Sequence, residues 1–220
     1  PPCRVIQIEA ADNSIPGHRL WSNCALRVVS AGNNKESILT IPSDLQPLLH
    51  TSVLGDTLFI RIQTPPYRSQ EQKEYIETHH GYPAVQSDEW ILALSAQTDY
   101  VASHLPRQKV IFSGLSRDSL AFCVDRGVVE ESQFRALKAD GRELRFKSGS
   151  VQHLHTNLDG NIRWILDEKQ FHLDTEHLSG SGWHQWSLLK GECRRLLWQP
   201  LTKEATLQVT LHEGAILEQR

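Results

Sequence analysis

The chain has 220 residues, and its 23 lysine and arginine residues are nearly balanced by 26 aspartate and glutamate residues. A formal charge of −3 provides no global positive field for a polyanion, so we expect no nucleic acid partner. No run approaches the ~18 apolar residues of a transmembrane helix, and Pro1-Pro2-Cys3 does not start a signal peptide. We therefore expect no transmembrane segment. Because Met is absent, we also expect a chain trimmed at its start.

Short strands separated by turns are predicted for residues 1–63. Apolar residues alternate with polar ones from Arg4 to Glu9, from Cys24 to Val29 and from Thr57 to Ile62. The segment Ser30 to Asn34 has the composition of a turn. We therefore predict an N-terminal strand region without a long helix.

Residues 64–88 have a different composition. Prolines, a run of charged residues and the pair His79-His80 leave few apolar side chains that could be buried. We predict a long surface loop over these residues. Strand character resumes from Trp90 to Leu94.

From Leu115 onward the sequence repeats with a period of about twenty residues. Leu137 to Phe146 matches Leu189 to Trp198 at every apolar position, and Gln152-His-Leu-His-Thr156 is echoed by Phe171-His-Leu-Asp-Thr175. Short alternating strands joined by polar corners are typical of stacked coils. We predict an all-β fold, a short single-stranded right-handed β-helix (β-solenoid) over residues 89–220 that forms a single domain with the N-terminal strands.

Four aromatic residues occupy equivalent positions in these repeats. The alternation turns them inward, so we expect them to stack in the core rather than to form an outward platform for a glycan. They are Phe122, Phe146, Trp164 and Trp198.

Three segments resemble one protein family. They are Ile38 to Ile62, which contains Thr51-Ser-Val-Leu-Gly-Asp-Thr-Leu-Phe-Ile60, then Lys109 to Leu115, and Leu178-Ser-Gly-Ser-Gly182. Together they resemble the head GIN domain family of auto-transporter adhesins, which are small secreted or periplasmic right-handed β-helices. The resemblance implies a periplasmic, outer-membrane-associated or extracellular protein with an adhesin-like role and no established catalytic chemistry.

Histidines in the echoing segments suggest a metal site. His153 and His155 flank an inward leucine, and His172 and Asp174 flank another. If these strands stack at ~4.8 Å, the four side chains would converge with ligand types that suit Zn²⁺, Ni²⁺ or Cu²⁺. The alternative is an exposed polar ladder.

A recognition patch is predicted where a Gly-Ser-Gly corner is followed by Trp183, His184 and Trp186. Two indoles at one corner could reach the surface together, and tryptophan is enriched in binding hot spots. The alternative is a coil edge that closes over the core.

Cysteine spacing excludes two common kinds of site. Cys3, Cys24, Cys123 and Cys193 are far apart and contain no Cys-x-x-Cys pair, unlike zinc-ribbon and thioredoxin-type sites. An even count permits one or two disulfides, of which Cys3 with Cys24 is the simplest, and buried free thiols are the alternative.

Paired carboxylates are the basis for an enzymatic alternative. Asp159 with Asp167, or Asp118 with Asp140, could line a groove as in β-helical glycan lyases and hydrolases. Their positions are corners, however, where Asp-Gly is common turn chemistry. The sequence has no nucleophile elbow, phosphate loop or His-Glu-x-x-His motif.

We therefore expect a non-catalytic binding protein of the cell envelope or a secreted one, with a glycan or a cell-surface protein as partner and no cofactor. The alternative is a small β-helical polysaccharide-processing enzyme. A third hypothesis is a homo-oligomer that assembles end to end, which requires an unpaired strand edge within Leu207 to Ile216.

Overall fold

The computed structural model describes residues 3–11, 21–22, 24–63, 69–71, 74, 84–85, 88–160, 163–167, 169–188 and 192–212. The fold is all-β and includes a β-solenoid of about five turns, which confirms the predicted fold class. The chain divides into two compact units. Unit 1 comprises Pro1–Phe112 with Cys123–Gly127, and unit 2 comprises Ser113–Phe122 with Val128–Arg220. The single domain of 220 residues stays a prediction.

In its described residues, unit 1 contains ten short strands and one 3₁₀ turn at Gln46–Leu48. The strands are β1 (Val5–Ala10), β2 (Trp21–Ser22), β3 (Ala25–Ser30), β4 (Ile38–Thr40), β5 (Leu49–Leu54), β6 (Thr57–Ile62), β7 (Ala84–Val85), β8 (Trp90–Leu94), β9 (Tyr100–Ser103) and β10 (Lys109–Ser113). Strand β1 pairs in parallel with β6 and β9, and β3 pairs in parallel with β8 and β10. Strands β4 and β5 add antiparallel pairs to β8 and β6.

Alternation explains the core of unit 1. Ile6 and Ile8 of β1 are buried, and Ile8 lies opposite the buried Ile60 of β6. Burying one such side chain stabilises the fold by about 1.5–3 kcal/mol. The outward residues that follow Ile8 and Ile60 carry charge and form the ion pair between Arg61 Nε and Glu9 Oε1 at 2.8 Å.

Unit 2 contains longer strands and a 3₁₀ turn at Leu158–Gly160. Its strands are β11 (Ser116–Glu130, of which Cys123–Gly127 belong to unit 1), β12 (Ser132–Phe146), β13 (Gly149–Asn157), β14 (Arg163–Leu166), β15 (Phe171–Gly180), β16 (Trp183–Leu188), β17 (Cys193–Pro200) and β18 (Thr206–Leu211). Strands β12, β13, β15 and β17 are parallel neighbours in that order. Strand β14 pairs in parallel with β12, and β16 with β18.

The coils of unit 2 differ in length. Register leads from Ser132 to Gly149, from Gly149 to Phe171 and from Leu173 to Cys193, which are steps of 17, 22 and 20 residues. A period of about twenty residues is therefore correct on average. The step of 22 residues from β13 to β15 differs from the 19 residues that the predicted echo requires, so the predicted register between these strands is wrong.

The physical reason lies in the burial pattern. The observed register places buried Val151 opposite buried Leu173, and buried Thr156 opposite buried Leu178. A shift of three residues would place buried Phe171 opposite exposed Gln152. The observed pairing therefore fits the burial of both strands better than the pairing that the similar histidine segments suggest.

The predicted inward aromatic residues are confirmed. Phe122 and Phe146 are buried, while Trp164 and Trp198 are partly buried and pack against a buried cluster that includes Trp186. The ring centroids of Phe146 and Trp164 lie 4.5 Å apart, and those of Trp164 and Trp186 lie 5.4 Å apart. These spacings are typical of favourable aromatic contacts.

Most of the predicted loop over residues 64–88, including His79 and His80, lies outside the described residues. Its described part contains β7, which pairs in parallel with β2, and a side-chain hydrogen bond from Gln70 to Glu74 at 3.1 Å. None of the described helical segments has the length and apolar character needed to cross a membrane.

None of the four cysteines forms a disulfide. The structure therefore does not form the disulfide between Cys3 and Cys24 that an even cysteine count permits. Cys24 is buried, which agrees with the alternative of buried thiols for this residue.

Candidate binding site

One face of the two-stranded sheet formed by β16 and β18 consists only of exposed, uncharged side chains. Alternate residues of each strand point to solvent. We call this surface the Trp183 face, and it comprises Trp183, Gln185, Ser187, Thr206, Gln208 and Thr210. Because strands lie ~4.8 Å apart and alternate residues of one strand lie ~6.6 Å apart, the six side chains form a compact array.

Register sets the order of this array. Trp183 lies opposite Thr206, Gln185 lies opposite Gln208, and Ser187 and Thr210 complete the third row. Trp183 is 63% exposed, which is unusual for an indole of this size. An aromatic surface therefore adjoins two rows of amide and hydroxyl groups.

The predicted patch of Trp183, His184 and Trp186 is only partly formed. Trp183 is on the surface, whereas Trp186 is 6% exposed and packs in the core with Leu158 and Leu178. The two indoles are three residues apart on one strand, so they lie on opposite faces. The expectation that both indoles reach the surface is therefore wrong.

His184 takes part in a hydrogen-bond network at the corner before β16. The Asp159 carboxylate accepts hydrogen bonds from the Ser181 backbone N–H at 2.8 Å and from the Ser181 hydroxyl at 2.8 Å. Asp159 Oδ1, which accepts the bond from the Ser181 N–H, also lies 3.1 Å from His184 Nε2. The bonds from Ser181, followed by the contact with His184, hold the pKa of Asp159 below its usual range. This network fixes the corner from which Trp183 projects.

The same three residue types form catalytic triads in hydrolases, but their arrangement here is different. In a triad the histidine accepts the serine proton, and the carboxylate orients the histidine from the far side. Here the Ser181 hydroxyl donates to Asp159 instead of to His184. The arrangement stabilises a corner and does not activate the serine as a nucleophile.

Gly180 allows this network to form. A Cβ atom at this position would lie 2.4 Å from His184 Nε2 and 3.1 Å from the Trp198 ring. The imidazole therefore lies against bare backbone, with its edge toward the Trp198 indole at a centroid distance of 6.0 Å. A larger residue would displace His184 from Asp159.

The structure groups histidines differently from the predicted metal set. His155 lies opposite His177, whereas His172 lies opposite Ser150, and Asp174 forms an ion pair with Arg194 at 3.6 Å. The prediction that four side chains converge on one metal ion is therefore wrong. These residues are His153, His155, His172 and Asp174. Among the described residues, no set of three or more histidine, cysteine, aspartate or glutamate side chains is arranged to hold a metal ion.

The carboxylates of the enzymatic alternative have structural partners. Asp167 accepts a hydrogen bond from the Lys169 backbone at 3.1 Å, which is a turn contact. Asp118 lies 3.6 Å from Arg135, and Asp140 lies 3.7 Å from a lysine of its own strand. The fourth carboxylate, Asp159, accepts the hydrogen bonds from Ser181 at the corner before β16.

Sequence reasoning missed a buried acidic residue, Glu176. Burial, reinforced by the nearby Glu192 carboxyl, raises its pKa to about 8, and the Cys193 thiol donates to its Oε2 at 3.8 Å. Burial and the same carboxyls raise the pKa of Cys193 to about 12. The alternation changes phase at Thr175 and Glu176, which are both buried, so a strict alternating pattern gives no signal for this residue.

The C-terminal edge was predicted within Leu207 to Ile216. Strand β18 ends at Leu211, and residues 213–216 lie outside the described residues. Within the part of the chain that the structure describes, β18 pairs with β16 on one side only.

In comparisons with known proteins, no family model, curated protein or solved structure matches this chain. We therefore infer function from the Trp183 face itself, from the residues that hold it in place and from the charges around it.

Proposed function

We propose that this chain is a non-catalytic binding module of the cell envelope or the extracellular space, and that its Trp183 face binds a neutral glycan. The observation that carries the proposal is the exposed indole of Trp183 beside an uncharged array of amide and hydroxyl groups. The resemblance to head GIN domain adhesins supports a location outside the cytoplasm.

The chemistry of the face suits a sugar. A pyranose ring has an apolar C–H face that can lie flat on an indole, and a rim of hydroxyls that both donate and accept hydrogen bonds. Gln185, Gln208 and the hydroxyls of Ser187 and Thr206 offer both functions in return. The array can therefore satisfy a polar ligand without an ion pair.

The absence of charge within the six residues favours a neutral ligand over an acidic one. Uronate or sulfate groups placed on this face would lose water without gaining a cationic partner. Elsewhere in unit 2 the outward positions do carry cations, as at Arg135 and Arg194. The Trp183 face is thus chemically distinct from those surfaces.

The support beneath the face favours affinity. Both strands are hydrogen-bonded in register, and the Asp159 network fixes the corner that precedes Trp183. A rigid platform orders few side chains on binding, which lowers the entropic cost of association. Glycan hydrolysis, in contrast, requires two carboxyl groups at the scissile bond, and the six residues of the face include none.

The experiment is a binding titration with neutral hexasaccharides of glucose, xylose and mannose, followed by the indole N–H resonance of Trp183 and by calorimetry. We expect at least one of these sugars to shift that resonance, and we expect W183A to weaken its binding by at least about tenfold. L54A is the matched control, because Leu54 is 75% exposed but lies in unit 1.

Two results would overturn the proposal. One is that none of the hexasaccharides shifts the Trp183 resonance, or that W183A and L54A bind equally well. The other is release of new reducing ends during the titration, which would favour the polysaccharide-processing enzyme.

A further inference from the structure

Three histidines lie together on the outer surface of unit 2. His153 and His155 project from β13 on either side of the buried Leu154, and His177 projects from β15. His177 Nε2 and His153 Nδ1 face each other at 3.4 Å. The His155 ring stacks on the His177 ring, with centroids 4.2 Å apart and an interplanar angle of 14°.

The distance between the two facing nitrogens is informative. Zn²⁺ binds histidine nitrogen at about 2.0–2.1 Å in tetrahedral geometry, which places two such nitrogens ~3.3–3.4 Å apart. A right-angled pair, as in square-planar or octahedral coordination, would place them only ~2.9 Å apart. The observed 3.4 Å is the length of a hydrogen bond between the two rings and also equals the tetrahedral value.

The tautomers of the facing pair also suit a metal. Neutral imidazole is the form that binds metals. Each ring of the facing pair can hold its single proton on its other nitrogen, so the proton between them is not needed and both facing lone pairs become free.

We propose that His153 Nδ1 and His177 Nε2 bind a divalent transition-metal ion, represented by Zn²⁺, with solvent completing the tetrahedron. His155 acts as a positioning residue, because its stacked ring limits rotation of His177 about its side-chain bonds. The site involves two protein ligands, and it replaces the predicted set that included His172 and Asp174. It is independent of the Trp183 face.

The test compares metal stoichiometry, because the chain contains 11 histidines and others can bind metal weakly. Calorimetric titration of Zn²⁺ into the H153A/H177A double variant should show one equivalent fewer than the unchanged chain. H172A is the matched control, because His172 is an exposed histidine near the start of β15 and lies opposite Ser150. It should keep that equivalent.

Co²⁺ provides a second readout of geometry. Tetrahedral Co²⁺ absorbs visible light far more strongly than octahedral Co²⁺, so the unchanged chain and H172A should gain an intense band that H153A/H177A lacks. H155A should keep the band and weaken affinity by roughly threefold to tenfold. Circular dichroism of each metal-free variant establishes that its fold is intact.

The proposal is overturned if H153A/H177A is folded and retains the equivalent, or if H172A loses it to the same extent. The proposal is also overturned if the unchanged chain binds no Zn²⁺ with a dissociation constant below about 1 mM. The contact would then be only a hydrogen bond between two imidazoles.

Discussion

Glu176 lies directly opposite Leu154 across β15 and β13, and both side chains are completely buried. The same position is Leu137 on β12 and Leu196 on β17, so a single carboxyl interrupts a line of leucines. A buried carboxyl without full hydrogen bonding is stable only in its protonated form. This pairing makes the interior of unit 2 sensitive to pH.

We predict that stability falls as the pH rises because of Glu176. Its pKa is about 8 in the folded chain against an ordinary value near 4.5, so the folded state retains a proton that the unfolded state releases between these values. The free energy of unfolding should therefore decrease by up to about 1.4 kcal/mol per pH unit from this group. E176Q cannot ionise at this position. The free energy of unfolding of E176Q, relative to that of the unchanged chain, should therefore rise by up to about 1.4 kcal/mol per pH unit between pH 5 and pH 8.

Urea unfolding at several pH values checks this prediction. E204Q is the control, because Glu204 is exposed in the turn before β18, and its difference from the unchanged chain should not vary with pH. Taking the difference between chains also cancels the opposite contribution of His155 and His177, whose lowered pKa values reduce stability below about pH 6.5. Parallel pH profiles for E176Q and the unchanged chain would refute the role of Glu176.

Cys193 should be a slow nucleophile in the folded chain. Burial and the adjacent carboxyls raise its pKa to about 12, and the thiolate is the reactive form. At pH 8 we expect iodoacetamide to modify Cys193 on the order of 10²–10³ times more slowly in the folded chain than in urea. Mass spectrometry of peptides at timed intervals measures both rates. Equal rates would mean that the thiol is not held in its protonated state.

Gly149 should tolerate no side chain. Its φ is +122°, and a Cβ atom would lie 2.0 Å from the backbone carbonyl oxygen of Ser132. Because backbone cannot move aside as a side chain can, we expect G149A to lower the free energy of unfolding by about 3 kcal/mol or more. G160A is the matched control, since a Cβ there meets nothing within 4 Å, and it should change stability by less than about 1 kcal/mol. Denaturant unfolding distinguishes the two, and similar values would contradict the close contact.

G180A should disturb the support of the Trp183 face. The added methyl group would push His184 away from Asp159, so we expect a loss of about 1–3 kcal/mol from overpacking. We also expect weaker glycan binding, because the corner that positions Trp183 is loosened. G182A, which adds a methyl group in open space, should bind as the unchanged chain does. If G180A retains full binding, the corner network has no part in positioning Trp183.

Alternation made several features predictable from sequence. It indicated β1 and β6 and the inward aromatic residues such as Phe146. It also contained the rest of the Trp183 face, because Gln185 and Gln208 follow the same two-residue period.

Other features depend on three-dimensional register, which no short segment encodes. The similarity of the two histidine segments suggested pairing His153 with His172, whereas the observed register, in which buried Val151 lies opposite buried Leu173, pairs His155 with His177. The phase change at Glu176 is equally invisible, because a corner within a strand turns two consecutive residues inward.

In the described part of the chain, β12, β13, β15 and β17 form a parallel stack in which backbone hydrogen bonds link β13 to both β12 and β15, whereas β17 is linked to β15 alone. Local unfolding can then start at a terminal coil and proceed strand by strand toward the middle of the stack, without global unfolding. Amide protons of β13, which has a strand on both sides, should outlast those of β17 in deuterated solvent. The buried Glu176 lies on β15, between these two strands, so its ionisation would favour unfolding that extends from β17 into β15.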